Sequence, residues 1–150
     1  MPLNRMYTVD SMEWFCYELF LDVIENMSDV KCGSRSIRSS LKCRYKKSLL
    51  RKINELSEKH QILFKGMMDK LRLNNDSAGS SFTRVVNEIF TDEIYNWGRI
   101  VSVYALGGWM ARDYVSMGMS HHVQDFAEIS GRYIVATLGP HIEQAGGWVS

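Results

Sequence analysis

Apolar residues recur every three or four positions along nearly all of the chain, the spacing of helices that each bury one face. Met12, Phe15, Leu19, Val23 and Met27 form one such stripe, which predicts an amphipathic first helix opened by the capping pair Asp10 and Glu13 and ending by Ser28. Leu49, Ile53, Leu56, His60, Leu63, Met67 and Leu71 carry the spacing over a second, longer helix that gives way at Asn74-Asn75-Asp76 and Gly79. A shorter helix follows, with Phe82, Val85, Val86, Ile89 and Phe90 inward. From Ile100 to Ala111 the pattern changes: apart from Ser102 and two glycines every position is apolar. That predicts a helix capped by Asn96, running to about Met117 and buried on all sides. Val123, Phe126, Ala127, Ser130 and Ile134 give a further helix, and Gly139-Pro140 predicts a break, with Pro140 opening a last short helix.

The pattern is all-α, and a helix that is apolar all round demands neighbours that wrap it, which is a bundle. The 150 residues, 45% of them hydrophobic, are enough for one domain with a sizeable core. Nothing reads as a membrane span, because no run of about twenty apolar residues exists and Arg112-Asp113 end the central one. Glu13, Glu18 and Asp22 interrupt the apolar residues from Met12 to Ile24, against a secretory signal. Cys16, Cys32 and Cys43 are odd in number and lack paired close spacings, so neither a disulfide framework nor a zinc module is suggested and a reducing interior is the simpler home.

A net charge of +1 hides an asymmetry. Nine of the eighteen cations lie between Lys31 and Lys52 with no acid among them, leaving nine cations against all seventeen acids, a net −8, elsewhere. The stretch is Ser-rich and falls between two helical patterns, so it reads as a solvated linker over about 29–45 followed by a helix start. Contact with anionic lipid is the other reading, at most peripheral, and no nucleic-acid partner is expected.

Enzymatic constellations are thin. His121-His122 with Asp125 places imidazole and carboxylate on one helical face, but no third ligand accompanies them at useful spacing. The chain has no Gly-x-Ser-x-Gly elbow and no Gly-x-x-x-x-Gly-Lys phosphate cradle. No catalytic residue, metal or cofactor is therefore expected. The positions that folding alone does not explain are Asn96-Trp97-Gly98-Arg99, followed by Gly107-Gly108, which read chiefly as close helix packing. Arg99 puts a cation at the positive pole of a helix dipole, and Gly98 costs on the order of 1 kcal/mol in a helix relative to Ala. Either Arg99 pairs within the chain, with Glu88, Asp92 or Glu93 as candidates, or its carboxylate belongs to another molecule whose backbone passes close to Gly98.

Those same residues resemble the first homology motif of the Bcl (B-cell lymphoma two) family of apoptosis regulators. The stretch Phe82-Thr83-Arg84-Val85-Val86-Asn87-Glu88-Ile89-Phe90-Thr91-Asp92 is similar to the segment that leads into that motif, and Ile142-Glu143-Gln144-Ala145-Gly146-Gly147-Trp148 resembles the second homology motif. With helical segments that also fit, the resemblance runs from Asp10 to Trp148. It implies a bundle of about seven to eight helices around a central hydrophobic helix. It also implies a surface groove that receives the amphipathic death-motif helix of a pro-apoptotic partner.

By that resemblance Arg99 meets the partner's aspartate, Asn96 is its polar neighbour and Gly98 is where the partner helix presses close. His60, Leu63, Phe64 and Met67 would line one wall; Val85, Glu88, Ile89, Val101 and Leu106 would form the floor and the other wall. The implied activity is inhibition of apoptosis by sequestering such helices, in the cytoplasm or at the mitochondrial outer membrane. A membrane-permeabilising effector of the same fold is the alternative, and a homodimer through the groove is a further mode of occupancy. The family's third homology motif has a leucine followed by a Gly-Asp pair, whereas this chain offers Leu50, Ile53, Asn54 and Glu55, which suits a protein that receives helices rather than donates one. Tyr95 before Asn96 resembles some survival members, and the short linker resembles compact viral ones.

Overall fold

The computed structural model describes residues 12–32, 40–72 and 78–146. The described residues form six α-helices and one short 3-10 turn: α1 (Met12–Ser28), α2 (Ser40–Lys59), α3 (Gln61–Arg72), α4 (Ala78–Ile89), α5 (Trp97–Ser116), the turn Ser120–His122, and α6 (Val123–Gln144). Asp10, the helix end expected at Asn74-Asn75-Asp76 and the pair Gly147-Trp148 lie outside them.

The centre is built by α1, α5 and α6 together. α5 is buried continuously from Val103 to Gly108, and again at Met110 and Ala111, but its first turn is open to solvent, so the expectation of burial on every side holds for its middle only. α1 is buried far beyond one stripe, taking in Cys16, Tyr17, Phe20, Leu21 and Ile24 as well as the predicted Phe15, Leu19 and Val23. Phe20 sits at the heart of this packing, tilted against Phe82 of α4 at 5.6 Å between ring centroids and edge-on to Tyr104 of α5 at 5.8 Å. The Tyr104 hydroxyl donates to the carbonyl of Cys16 at 2.9 Å, which satisfies the polar tip of a fully buried ring, and burial drives its acidity well below that of an ordinary phenol.

Glycines set how closely these helices approach. A methyl on Gly107 would overlap the Phe20 ring, one on Gly108 would overlap Met27, and one on Gly131 of α6 would stand 2.7 Å from the ring of Tyr17. The segment after α1 is tied down as well: the Cys32 amide donates to Glu25 Oε2 at 2.9 Å, and Gln124 Nε2 donates to the carbonyl of Lys31 at 2.8 Å.

Three boundaries differ from the sequence expectation. α2 starts at Ser40, inside the segment read as linker, so six of the cationic stretch's residues, Lys42 to Lys52, are carried on a helix. The single helix expected from Leu49 to Leu71 is two, separated at His60 alone, with His60 N–H bonding Leu56 O and Phe64 N–H bonding His60 O at 3.0 Å each. The bonding continues through the junction, which is why the apolar spacing runs across it unbroken. α6 continues through Gly139-Pro140 to Gln144, so among the described residues no separate last helix follows the proline and the helices number six. Proline there forgoes one backbone bond, and the surrounding burial of Val135, Leu138 and Ile142 holds the helix together regardless.

Candidate functional site

The residues singled out between Asp92 and Arg99 form the connection from α4 to α5. α4 ends where Thr91 Oγ1 caps the carbonyls of Asn87 and Glu88, at 3.0 Å each. Asp92 Oδ1 then accepts the Ile94 amide at 3.0 Å, an Asx turn, and Glu93 turns the chain with a φ of 60°. Tyr95 slots between two rings, parallel to Phe90 at 4.5 Å and to His141 of α6 at 3.4 Å, and so fixes the connection to the far end of the molecule. Asn96 has the extended backbone of a helix cap, and its Oδ1 accepts the Arg99 amide at 2.9 Å, which satisfies one of the orphan donors of the first turn of α5.

Arg99 has an internal partner, and it is Asp92. Nη1 and Nη2 reach Oδ1 and Oδ2 at 2.6 and 2.9 Å, a two-pronged ion pair. Nη1 also donates to the carbonyls of Ile94 at 3.0 Å and Ile89 at 3.2 Å. The guanidinium thereby staples the connection across ten residues, and the carboxylate beside it offsets the unfavourable placement of a cation at a helix N-terminus. Hydrogen bonding to Arg99 holds the Asp92 carboxyl at about 2, and the same contact raises the Arg99 guanidinium further above its usual range. Of the three acids that the sequence offered, Glu88 and Glu93 are exposed and the pair goes to Asp92.

Gly98 contrasts with the packing glycines. It is exposed, and a methyl there would meet nothing nearer than Asn96 Oδ1 at 3.4 Å. Among the described residues, no neighbouring helix requires a glycine at this position.

The remaining predicted residues separate by burial. On α3, Leu63 is 59% exposed, while Phe64 turns inward against Trp109 of α5 with ring centroids 6.3 Å apart. His60, at the α2–α3 junction, is half-buried and edge-on to Phe64, and Met67 is half-buried against the core. On α4, Glu88 is exposed, Ile89 half-buried and Val85 buried; on α5, Val101 is half-buried. Leu106 does not belong to the surface. It is 1% exposed and packs in the core, because it falls on the side of α5 that faces the bundle interior. α3 and α4 each pack on α5 while making at most marginal contact with each other among the described residues. Sequence reasoning missed Ile62, Ile94 and Trp97, apolar side chains left at the surface beside these positions, with Ile62 as much as 89% exposed. The signal for Ile62 was its place off the core-facing stripe of its helix.

Among the described residues no three His, Cys, Asp or Glu side chains stand close enough to hold a metal ion, and no helix is long and apolar enough to cross a membrane. A cavity of about 370 Å³ lies between α4, the end of α5 and the start of α6, lined by Ser80, Thr83, Tyr114, His122, Asp125, Phe126 and Ile129. It shares no residue with the predicted site.

Comparison with known proteins bears on the family and the fold. The profile of the Bcl-2 family, apoptosis regulator proteins, matches residues 49–148. Human Bcl-2-like protein 1 is 33% identical over 95 residues, 63% of this chain, and chicken apoptosis regulator Bcl-2 is 36% identical over the same length. The chain spans 40% of the length of each of these relatives. Among solved structures, that of Trichoplax adhaerens trBcl-2L2 bound to trBak BH3 superposes with a TM-score of 0.77 at 25% identity, covering 92% of this chain and 95% of the other.

Proposed function

The chain belongs to the Bcl-2 family of apoptosis regulators, and from that membership we propose that it is a survival-type member, binding amphipathic helices of pro-apoptotic partners and keeping them from acting. The groove would lie over the first half of α5, flanked by α3 and α4, with Leu63, Met67, Ile89 and Val101 offering apolar contact and Asn96, Gly98 and Arg99 at one end. The observation that carries this reading is the first turn of α5. It has an exposed glycine that no contact among the described residues explains, beside an arginine whose side chain is 32% exposed. Close approach of a second helix gives both a purpose. The crystallised Trichoplax relative is bound to a BH3 segment, which supports helix binding by this fold. The protein acts by binding rather than catalysis, without a cofactor, in the cytoplasm or at the mitochondrial outer membrane.

Titration calorimetry against a panel of synthetic BH3-type helical peptides tests it. Sub-micromolar binding to at least one peptide is expected, with a loss of about tenfold or more in Arg99→Ala, some 1.4 kcal/mol per decade. Failure of every peptide to bind the wild-type chain would overturn the reading. A second reading, the membrane-permeabilising effector, is disfavoured by the absent Gly-Asp pair after Leu50.

A further inference from the structure

Arg99 reaches the surface with its end-on fork already filled. A guanidinium carries five N–H donors in a fixed plane. Nη1 serves three acceptors, Asp92 Oδ1 and the carbonyls of Ile89 and Ile94, and Nη2 serves Asp92 Oδ2. What remains for an incoming carboxylate, among the described residues, is the side edge formed by Nε–H and the outer Nη2–H. We infer that Asp92 is an internal competitor for the partner's acidic residue: it closes the end-on approach, confines that residue to the side edge, and weakens the binding of helices that carry an acid at that register position. The inference rests on the reading of Arg99 as a receptor contact.

The sign follows from what else holds Arg99. Taking the charge off Asp92 would relieve repulsion between two carboxylates gathered on one cation. It would not set the guanidinium loose, because the two backbone carbonyls still orient Nη1. Asparagine at position 92 also keeps a side-chain oxygen for the Ile94 amide, so the Asx turn survives. The side chains of Arg99 and Asp92 are 32% and 46% exposed, so water screens the effect and holds it within one order of magnitude. Asp92 therefore acts on specificity. It penalises acidic-register helices selectively and leaves neutral ones alone.

The experiment uses the full chain, one helical peptide that the wild type binds, and the same peptide with its register aspartate changed to asparagine. Asp92→Asn is expected to bind the acidic peptide about three- to tenfold more tightly than wild type does, and the amide peptide within twofold. In an Arg99→Ala background the gain should vanish. The acidic-to-amide affinity ratio is read within each variant, so any loosening of the connection cancels. An unchanged or smaller ratio in Asp92→Asn, with wild-type binding intact, would overturn the competitor role and leave the helix-binding reading standing. Failure of the wild type to bind any peptide removes both.

Discussion

At the scale of single residues, Arg99 shows how far reasoning from types and spacing goes. An unpaired cation in the first turn of a helix was legible as an anomaly, and Asp92 was among three acids that would resolve it. The choice between them was not legible, because it depends on a turn. The φ of 60° at Glu93 and the Asx turn at Asp92 aim one carboxylate back at α5, and neither leaves a mark that separates Asp92 from Glu93 in the sequence. The pair makes a direct prediction in solution. The carboxyl of Asp92 is held at about 2, below its unfolded value near 3.8, so its contribution to stability is complete above about pH 4 and is lost as pH falls toward 2. Carbon-detected NMR titration should place Asp92 near 2 in the wild type and near the ordinary aspartate value of about 3.9 in Arg99→Ala. An ordinary value in the wild type would mean that the ion pair does not form in water.

At the scale of elements, periodicity located the six described helices, with α2 and α3 read as one, and placed the ends of α1 and α5 but not those of α2 and α6. The junction at His60 preserves the hydrogen-bond ladder, so the apolar stripe crosses it without a shift of phase. Pro140 signals a helix start from local geometry, yet buried neighbours on both sides keep α6 going, an override that no local rule contains. Glycine was read more accurately, as close packing at Gly107 and Gly108 and as something else at Gly98, and a test is available in paired substitutions. Gly107→Ala gains about 1 kcal/mol of helix propensity but drives a methyl into Phe20, a ring fixed between Phe82 and Tyr104 that has nowhere to move. Overpacking of this kind costs about 1 to 3 kcal/mol, so a net loss of up to roughly 2 kcal/mol is expected. Gly66→Ala, on α3 with nothing within 4 Å, should instead gain about 0.5 to 1 kcal/mol. Urea unfolding midpoints report both, and a gain at Gly107 would contradict the α1–α5 packing described above.

At the scale of the whole molecule, the all-round apolarity of α5 made the bundle legible, since only a wrapped helix satisfies it. The equal burial of α1 was not, because Glu18 and Asp22 gave α1 the look of a helix with one wet face, whereas Glu18 is buried. The cost of opening this shared centre bears on the survival role proposed above. To place α5 and α6 in a bilayer, the chain must strip α1 from α5, exposing Leu19, Phe20, Val23 and Ile24 on one side and Val103, Tyr104 and Leu106 on the other. At about 1.5 to 3 kcal/mol for each of these seven side chains exposed to water, that is roughly 10 to 20 kcal/mol, comparable to the whole stability of an ordinary domain, roughly 5 to 15 kcal/mol. It would further carry Arg112 and Asp113 toward hydrocarbon, at about 2.5 to 3.5 kcal/mol each on insertion scales. A helix bound in the proposed groove repays little of this, because the residues proposed to line it lie at the exposed start of α5 and on α3 rather than at the α1–α5 contact. Dye-loaded liposomes of mitochondrial lipid composition should accordingly stay intact when mixed with this chain and an activating helical peptide. The same chain should suppress leakage caused by a permeabilising family member in a parallel sample. Leakage produced by this chain with the peptide, and no effector present, would overturn the survival role while leaving the fold and the family untouched.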